Sequence, residues 1–137
     1  MDLNFSKHHI DDSGNIIDDS GRVRVFHGVN FVRKEPPWYH EELLSSSYAK
    51  DLRDWGLNVV RLGTMWSGME PREGYYDMEY VDKLKMIVTN FRDEGIYVMM
   101  RGGVKLPVSS ELELPFPVYL DPRLFQPGFR PPKPGAG

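Results

Sequence analysis

Hydrophobic residues along this chain fall into two spacings that alternate between residues 25 and 100. The runs "VFHGVNFV" (Val25 to Val32), "LNVVRLG" and "IYVMM" are largely apolar, as strands buried on both faces are. Segments of helical period lie between them. From Glu41 to Trp55 the residues Leu44, Tyr48, Leu52 and Trp55 share one helical face, and Gly56 is placed to end that helix in a left-handed conformation. After Asp77, a candidate N-cap, Val81, Leu84, Val88 and Phe91 repeat the stripe, and Gly95 closes it. "KEPPWYH" and "TMWSGMEPREGYYD" read as loops, since Pro36 and Pro37 fit neither a helix interior nor a central strand.

The flanks follow other patterns. "IDDSGNIIDDSGRVRVF" carries two Asp-Ser-Gly turn signals, with Ile16 and Ile17 between them and Val23 and Val25 alternating afterwards. Residues 1–24 therefore read as a β-hairpin region of short antiparallel strands. A calcium loop would need Asp-x-Asp-x-Asp-Gly and a terminal Glu, and neither is there. From Arg101 no helical or strand period survives, and residues 101–137 hold 8 of the 11 prolines. That composition predicts a proline-rich, disordered tail.

The order is hairpin, β, α, β, α, β. Buried strands alternating with amphipathic helices imply parallel pairing through right-handed crossovers. A dinucleotide fold should show Gly-x-Gly-x-x-Gly after its first strand, where this chain has "GVNFVRKEPP". The strand-to-strand repeat is close to the ~31 residues per unit of a ~250-residue barrel. The fold class expected is thus α/β, a partial (β/α)8 TIM barrel: the hairpin of residues 1–24, then three strands and two helices over residues 25–100, and an irregular tail.

Charge and composition narrow the function. The net charge is −3, and the 17 basic residues are dispersed, unlike a nucleic-acid surface. There is no cysteine, so no disulfide. No apolar run approaches a membrane span, and the N-terminus has no signal-peptide pattern. As written, the chain would be made in the cytosol.

In a barrel of this kind the working residues follow the carboxyl ends of the strands. Asn30, Arg33, Lys34, Glu35 and Trp38 follow the first strand, Arg61, Thr64, Trp66 and Glu70 the second, and Arg101 the third. Aromatic rings stack on sugar faces, and amides and cations bind hydroxyls, so this set suits a sugar. Arg61 stands out, because a guanidinium in an apolar strand needs a partner: either a structural ion pair or a ligand. Trp38 and Trp66 fit core packing as well as sugar platforms, and Lys34 and Glu35 fit solvated loop charges. His8 and His9 read as surface residues of a frayed end. No third ligand near them suggests a metal, and no cofactor motif is present.

Through Met100 these blocks converge. "GRVRVFHGVNFVRKEPPWY", "LRDWGLNVVRLGTMWSGMEPREGYYD" and "EGIYVMM" resemble the endoglycoceramidases, glycoside hydrolases of family 5, over about residues 16–100. The resemblance implies a retaining, cofactor-free hydrolysis of the bond between oligosaccharide and ceramide. It implies that Arg61 is the strand-two arginine that positions the nucleophile, and that Asn30, Lys34 and Trp66 belong to the substrate-binding end of the site. It also implies that complete relatives are secreted or lysosomal.

The departure from the family pattern is equally specific. Where the family continues with an Asp-Met-His-Gln-type segment, this chain reads "RGGVKLP", as an altered exon or shifted frame would produce. The family's acid/base and nucleophile glutamates follow strands four and seven. Glu35 and Glu70 match neither position, and Glu111 and Glu113 lie in the tail. The expectation is therefore a truncated family 5 protein without catalytic residues, inactive alone and prone to self-association through open sheet edges. The alternative is a non-catalytic product that binds glycan, lipid or a protein partner.

Overall fold

The computed structural model describes residues 8–102 and the backbone of residues 119–120. Strands β1 (His8–Ile10) and β2 (Ile16–Asp18) form an antiparallel hairpin. Strands β3 (Gly28–Phe31), β4 (Val59–Thr64), β5 (Tyr97–Gly102) and β6 (Tyr119–Leu120) form one parallel sheet in sequence order. Between β3 and β4 run a 3-10 turn (Glu41–Leu44) and helix α1 (Ser46–Asp54). Between β4 and β5 lie the one-turn helix α2 (Trp66–Met69) and the long helix α3 (Met78–Asp93).

The core forms where the helices meet one face of the sheet. Val60, Leu62, Val98 and Met100 project from β4 and β5 onto Leu52, Leu84, Ile87, Val88 and Phe91. Val60, Ile87, Val88 and Val98 are wholly inaccessible, and burying each is worth ~1.5–3 kcal/mol. Both long helices stop in the same way. Gly56 and Gly95 sit at φ 84° and 74°, a conformation that glycine adopts without a Cβ clash. Their N–H groups bond the carbonyls of Arg53 and Arg92, and the next residues, Leu57 and Ile96, bond back to Leu52 and Phe91. This Schellman closure turns each helix directly into the following strand.

Several expectations need correction. The helix from Glu41 to Trp55 breaks at Ser45, which is extended and accepts the Ser47 N–H at 3.4 Å as an N-cap. Three serines in a row let side-chain oxygens compete with the helix ladder. The break also rotates the apolar face, so Leu43 is buried beside Leu52, while Trp55 is 74% exposed. The strand expected from Val25 to Val32 shrinks to Gly28–Phe31, because Asn58 captures the chain before it. Its Nδ2 donates to the Val25 carbonyl at 2.8 Å, and its Oδ1 accepts from His27 N–H at 2.9 Å. The loop from Thr64 to Asp77 contains α2, whose Met69 is buried. Asp77 does cap α3, accepting from Tyr80 N–H at 3.2 Å.

His8 is not frayed. It belongs to β1 and meets the rings of Phe26 and Tyr97 edge-on at 5.3 and 5.1 Å, which plugs the N-terminal end of the sheet. Most of residues 101–137, expected to be disordered, lies outside the described residues. Within that stretch, however, Arg101 and Gly102 complete β5, and Tyr119–Leu120 adds a strand that carries no period in the sequence. A two-residue pairing is too short to leave one.

The hairpin is latched by Asp18, whose side chain is 1% exposed. Its carboxylate accepts from the N–H groups of Ser20 and Arg22 and from Arg22 Nε at 3.0 Å, with Arg24 at 3.8 Å. Burial pushes the Asp18 carboxyl up, but the Arg22 and Ser20 N–H groups and the Arg22 guanidinium outweigh it and hold it below the usual carboxylate range. A lowered carboxylate stabilises the fold above its ordinary pKa, and that contribution disappears as pH falls through the lower folded value. Amide protection in β1 and β2, corrected for intrinsic exchange, should therefore hold from neutrality down to about pH 4 and collapse below it. In Asp18→Asn the protection should be low at every pH. Loss of protection on raising the pH from 5 to 7 would contradict this assignment.

Candidate active site

Alternation along the strands decides which side chains leave the core. Val60 and Leu62 face the helices, so Arg61 and Gly63 face the opposite, inner side of the sheet. Parallel register then aligns neighbours across strands: Asn30 pairs with Arg61, and Arg61 with Met99. Asn30 and Met99 are exposed and Arg61 is half-buried. Gly63 pairs with Arg101 one step further along the same face. The inner face is thus a shallow polar row, open above the aromatic plug of His8, Phe26 and Tyr97.

Arg61 has no ion pair or hydrogen bond among the described residues, so the structural-pair reading finds no acid to support it. Its guanidinium is available to a ligand or to a further segment of barrel. Lys34 and Trp66 lie past the carboxyl ends of β3 and β4, on the same rim. Lys34 is exposed and lines a cavity of about 470 Å³ with Val32, Arg33, Glu35 and His40. Trp66 is half-buried and begins α2. The structure therefore joins Asn30 and Arg61 as cross-strand neighbours and sets Lys34 and Trp66 at the rim above them.

Among the described residues, the strands of this face carry no acidic group: none of β3, β4 or β5 contains Asp or Glu. Glu35 is 76% exposed and contacts Arg33 at 3.8 Å, and Glu70 accepts the Gly74 N–H at 2.7 Å, which closes its own loop. Among the described residues no His, Cys, Asp and Glu cluster could hold a metal ion.

Residues 17–101 match the family described as cellulase (glycosyl hydrolase family 5). This chain belongs to glycosyl hydrolase family 5. It is 36% identical to an endoglycoceramidase of Cyanea nozakii over 91 residues, which are 62% of this chain and 18% of that protein. It is 33% identical to endoglycoceramidase I of Rhodococcus hoagii (strain 103S) over 90 residues, 65% of this chain and 18% of the relative. Among solved structures it resembles an endogalactoceramidase with a TM-score of 0.54 and 25% identity, over 69% of this chain and 22% of that one. The fold is a partial (β/α)8 barrel of the family 5 type, and the chain spans about a fifth of the length of the relatives it matches.

Sequence reasoning missed the residue that fixes the rim. The Tyr80 hydroxyl accepts from Met65 N–H at 3.0 Å and donates to the Trp38 carbonyl at 3.4 Å, tying the β3 loop, the β4 loop and α3 together. Its only signal was its place one turn into a capped helix, adjoining the apolar stripe. Burial pushes the Tyr80 phenol up, and the Met65 N–H pulls the other way to a lesser degree, so the hydroxyl stays protonated and able to donate. Tyr80→Phe leaves the Met65 N–H without its partner and should cost ~1–3 kcal/mol in denaturant midpoint analysis. A loss below about 0.5 kcal/mol would show that the loops hold without this knot.

Proposed function

We propose that this chain carries the opening sector of an endoglycoceramidase-type glycosidase, with Asn30, Lys34, Arg61 and Trp66 as its sugar-facing groups. The single observation that carries the reading is the Asn30–Arg61 row on the inner face, inside the segment that matches the family. An amide and a guanidinium that has no partner among the described residues suit sugar hydroxyls or the carboxylate of a nucleophile, and Trp66 at the rim offers a ring for a sugar face.

Retaining hydrolysis needs one carboxylate to attack the anomeric carbon and a carboxylic acid to protonate the leaving oxygen, ~5–5.5 Å apart. No carboxylate stands on the inner face of the described sheet, and both Glu35 and Glu70 serve loops. Catalytic groups must be held to within ~0.5 Å of productive geometry, which two loop glutamates with other tasks do not provide. The 137-residue chain therefore binds the substrate end without turning it over, and the outer edge of β3 offers a route to self-association. A non-catalytic glycan-binding role is the second reading, and Arg61, without a partner among the described residues, favours it.

Purified chain incubated with a fluorescent glycosphingolipid should release no oligosaccharide above a boiled control. Release of free oligosaccharide by the chain would overturn the inactive reading. Saturable glycan binding that falls about tenfold or more in Arg61→Ala would support the sugar-facing assignment, since charged hydrogen bonds contribute ~1.5–3 kcal/mol.

A further inference from the structure

A second concavity lies on the rim. The loops after β3 and β4, with the start of α3, enclose a groove of about 310 Å³ that no strand residue lines. Trp38, Tyr39 and Tyr80 supply its rings, and Pro37 and Pro71 its flat apolar edges. Glu79 adds a carboxylate that has no partner among the described residues. Trp38 holds φ 71°, a strained setting for a bulky residue, fixed by its N–H to the Glu35 carbonyl at 2.8 Å and by the Tyr80 hydroxyl. The groove is therefore formed in advance of any ligand.

Rings flanked by prolines, with a carboxylate at one end, are the chemistry that receives a basic proline-rich segment in polyproline II form. This chain contains one. Phe129–Pro134 reads FRPPKP, with Arg130 and Lys133 as its only charges. Strand direction is compatible with this: β6 is parallel to β5, so at Leu120 the backbone points toward the sheet end where the groove lies. The ten residues from Leu120 to Arg130 span up to ~33–36 Å, against a radius of gyration of ~13 Å for a ~100-residue domain. Tethering raises the local concentration of the segment to the millimolar range. The α3 N-terminus and Lys83 oppose a cation here, but the helix end amounts to only ~0.5 charge, and Asp77 stands with Glu79 against it.

We propose that this groove is the docking site of the chain's own Phe129–Pro134 segment, with its basic residues at Glu79. The absence of native cysteine makes a direct test possible. Ser67→Cys, at the groove, is combined with Gly135→Cys, just beyond the segment. A second protein combines Asp93→Cys, at the far end of α3, with the same Gly135→Cys. Disulfide formation is followed by mass spectrometry in a mixture of isotopically light and heavy chains.

The Ser67–Gly135 pair should close within one chain at least about tenfold faster than the Asp93–Gly135 pair. Arg130→Glu with Lys133→Glu, which leave the folded residues untouched, should reduce it to the control rate. Equal rates for the two pairs would overturn the proposal, as would closure only between light and heavy chains or closure indifferent to charge reversal. Glu79→Gln supplies a further arm: it should slow closure, and an unchanged rate would remove the carboxylate from the account.

Discussion

Arg61 faces the open side of the sheet because its neighbours Val60 and Leu62 must face the helices. With β4 central between β3 and β5, a one-residue slip would carry both apolar side chains to water and a guanidinium into the core. Burying an unpaired charge costs several kcal/mol, more than any single contact in this sheet returns. The core thus sets the site. Register transmits the choice to Asn30 on one side and Met99 on the other.

The same constraint explains what is built and what is not. Helices α1 and α3 cover one face, and their Schellman ends launch β4 and β5 in parallel, so Val60, Leu62, Val98 and Met100 are buried within this chain. Asn58 and the Asp18 latch close the N-terminal end. The inner face has a floor of His8, Phe26 and Tyr97 but no facing wall among the described residues, and Met99 remains 44% exposed. The row of Asn30, Arg61 and Met99 is nonetheless in register across three strands.

Much of this was legible in the sequence. Strands β4 and β5, helix α3 with its Asp77 cap, and the two terminating glycines follow from period and propensity, because burial and capping act locally there. The family motifs pointed to Arg61 and Asn30, which period alone could only single out as polar groups in apolar runs, and the structure sets the two side by side across β3 and β4. Most of the misses share one cause, long-range pairing. Asn58 reaches across 31 residues to shorten β3, Tyr80 reaches 42 to knot the Trp38 loop, and β6 joins β5 through two residues. Trp55 misled for a local reason, since Ser45 restarted the helix and turned the expected apolar face outward.

The central claim is that β4 presents its residues alternately to the core and to an open inner face. Single cysteines placed at positions 60, 61 and 62 of this cysteine-free chain test it by their rate of reaction with a water-soluble thiol reagent. The account predicts rapid labelling of Arg61→Cys, with Val60→Cys and Leu62→Cys protected until the chain is unfolded. Equal labelling at all three positions, or a protected position 61 between two reactive ones, would contradict it.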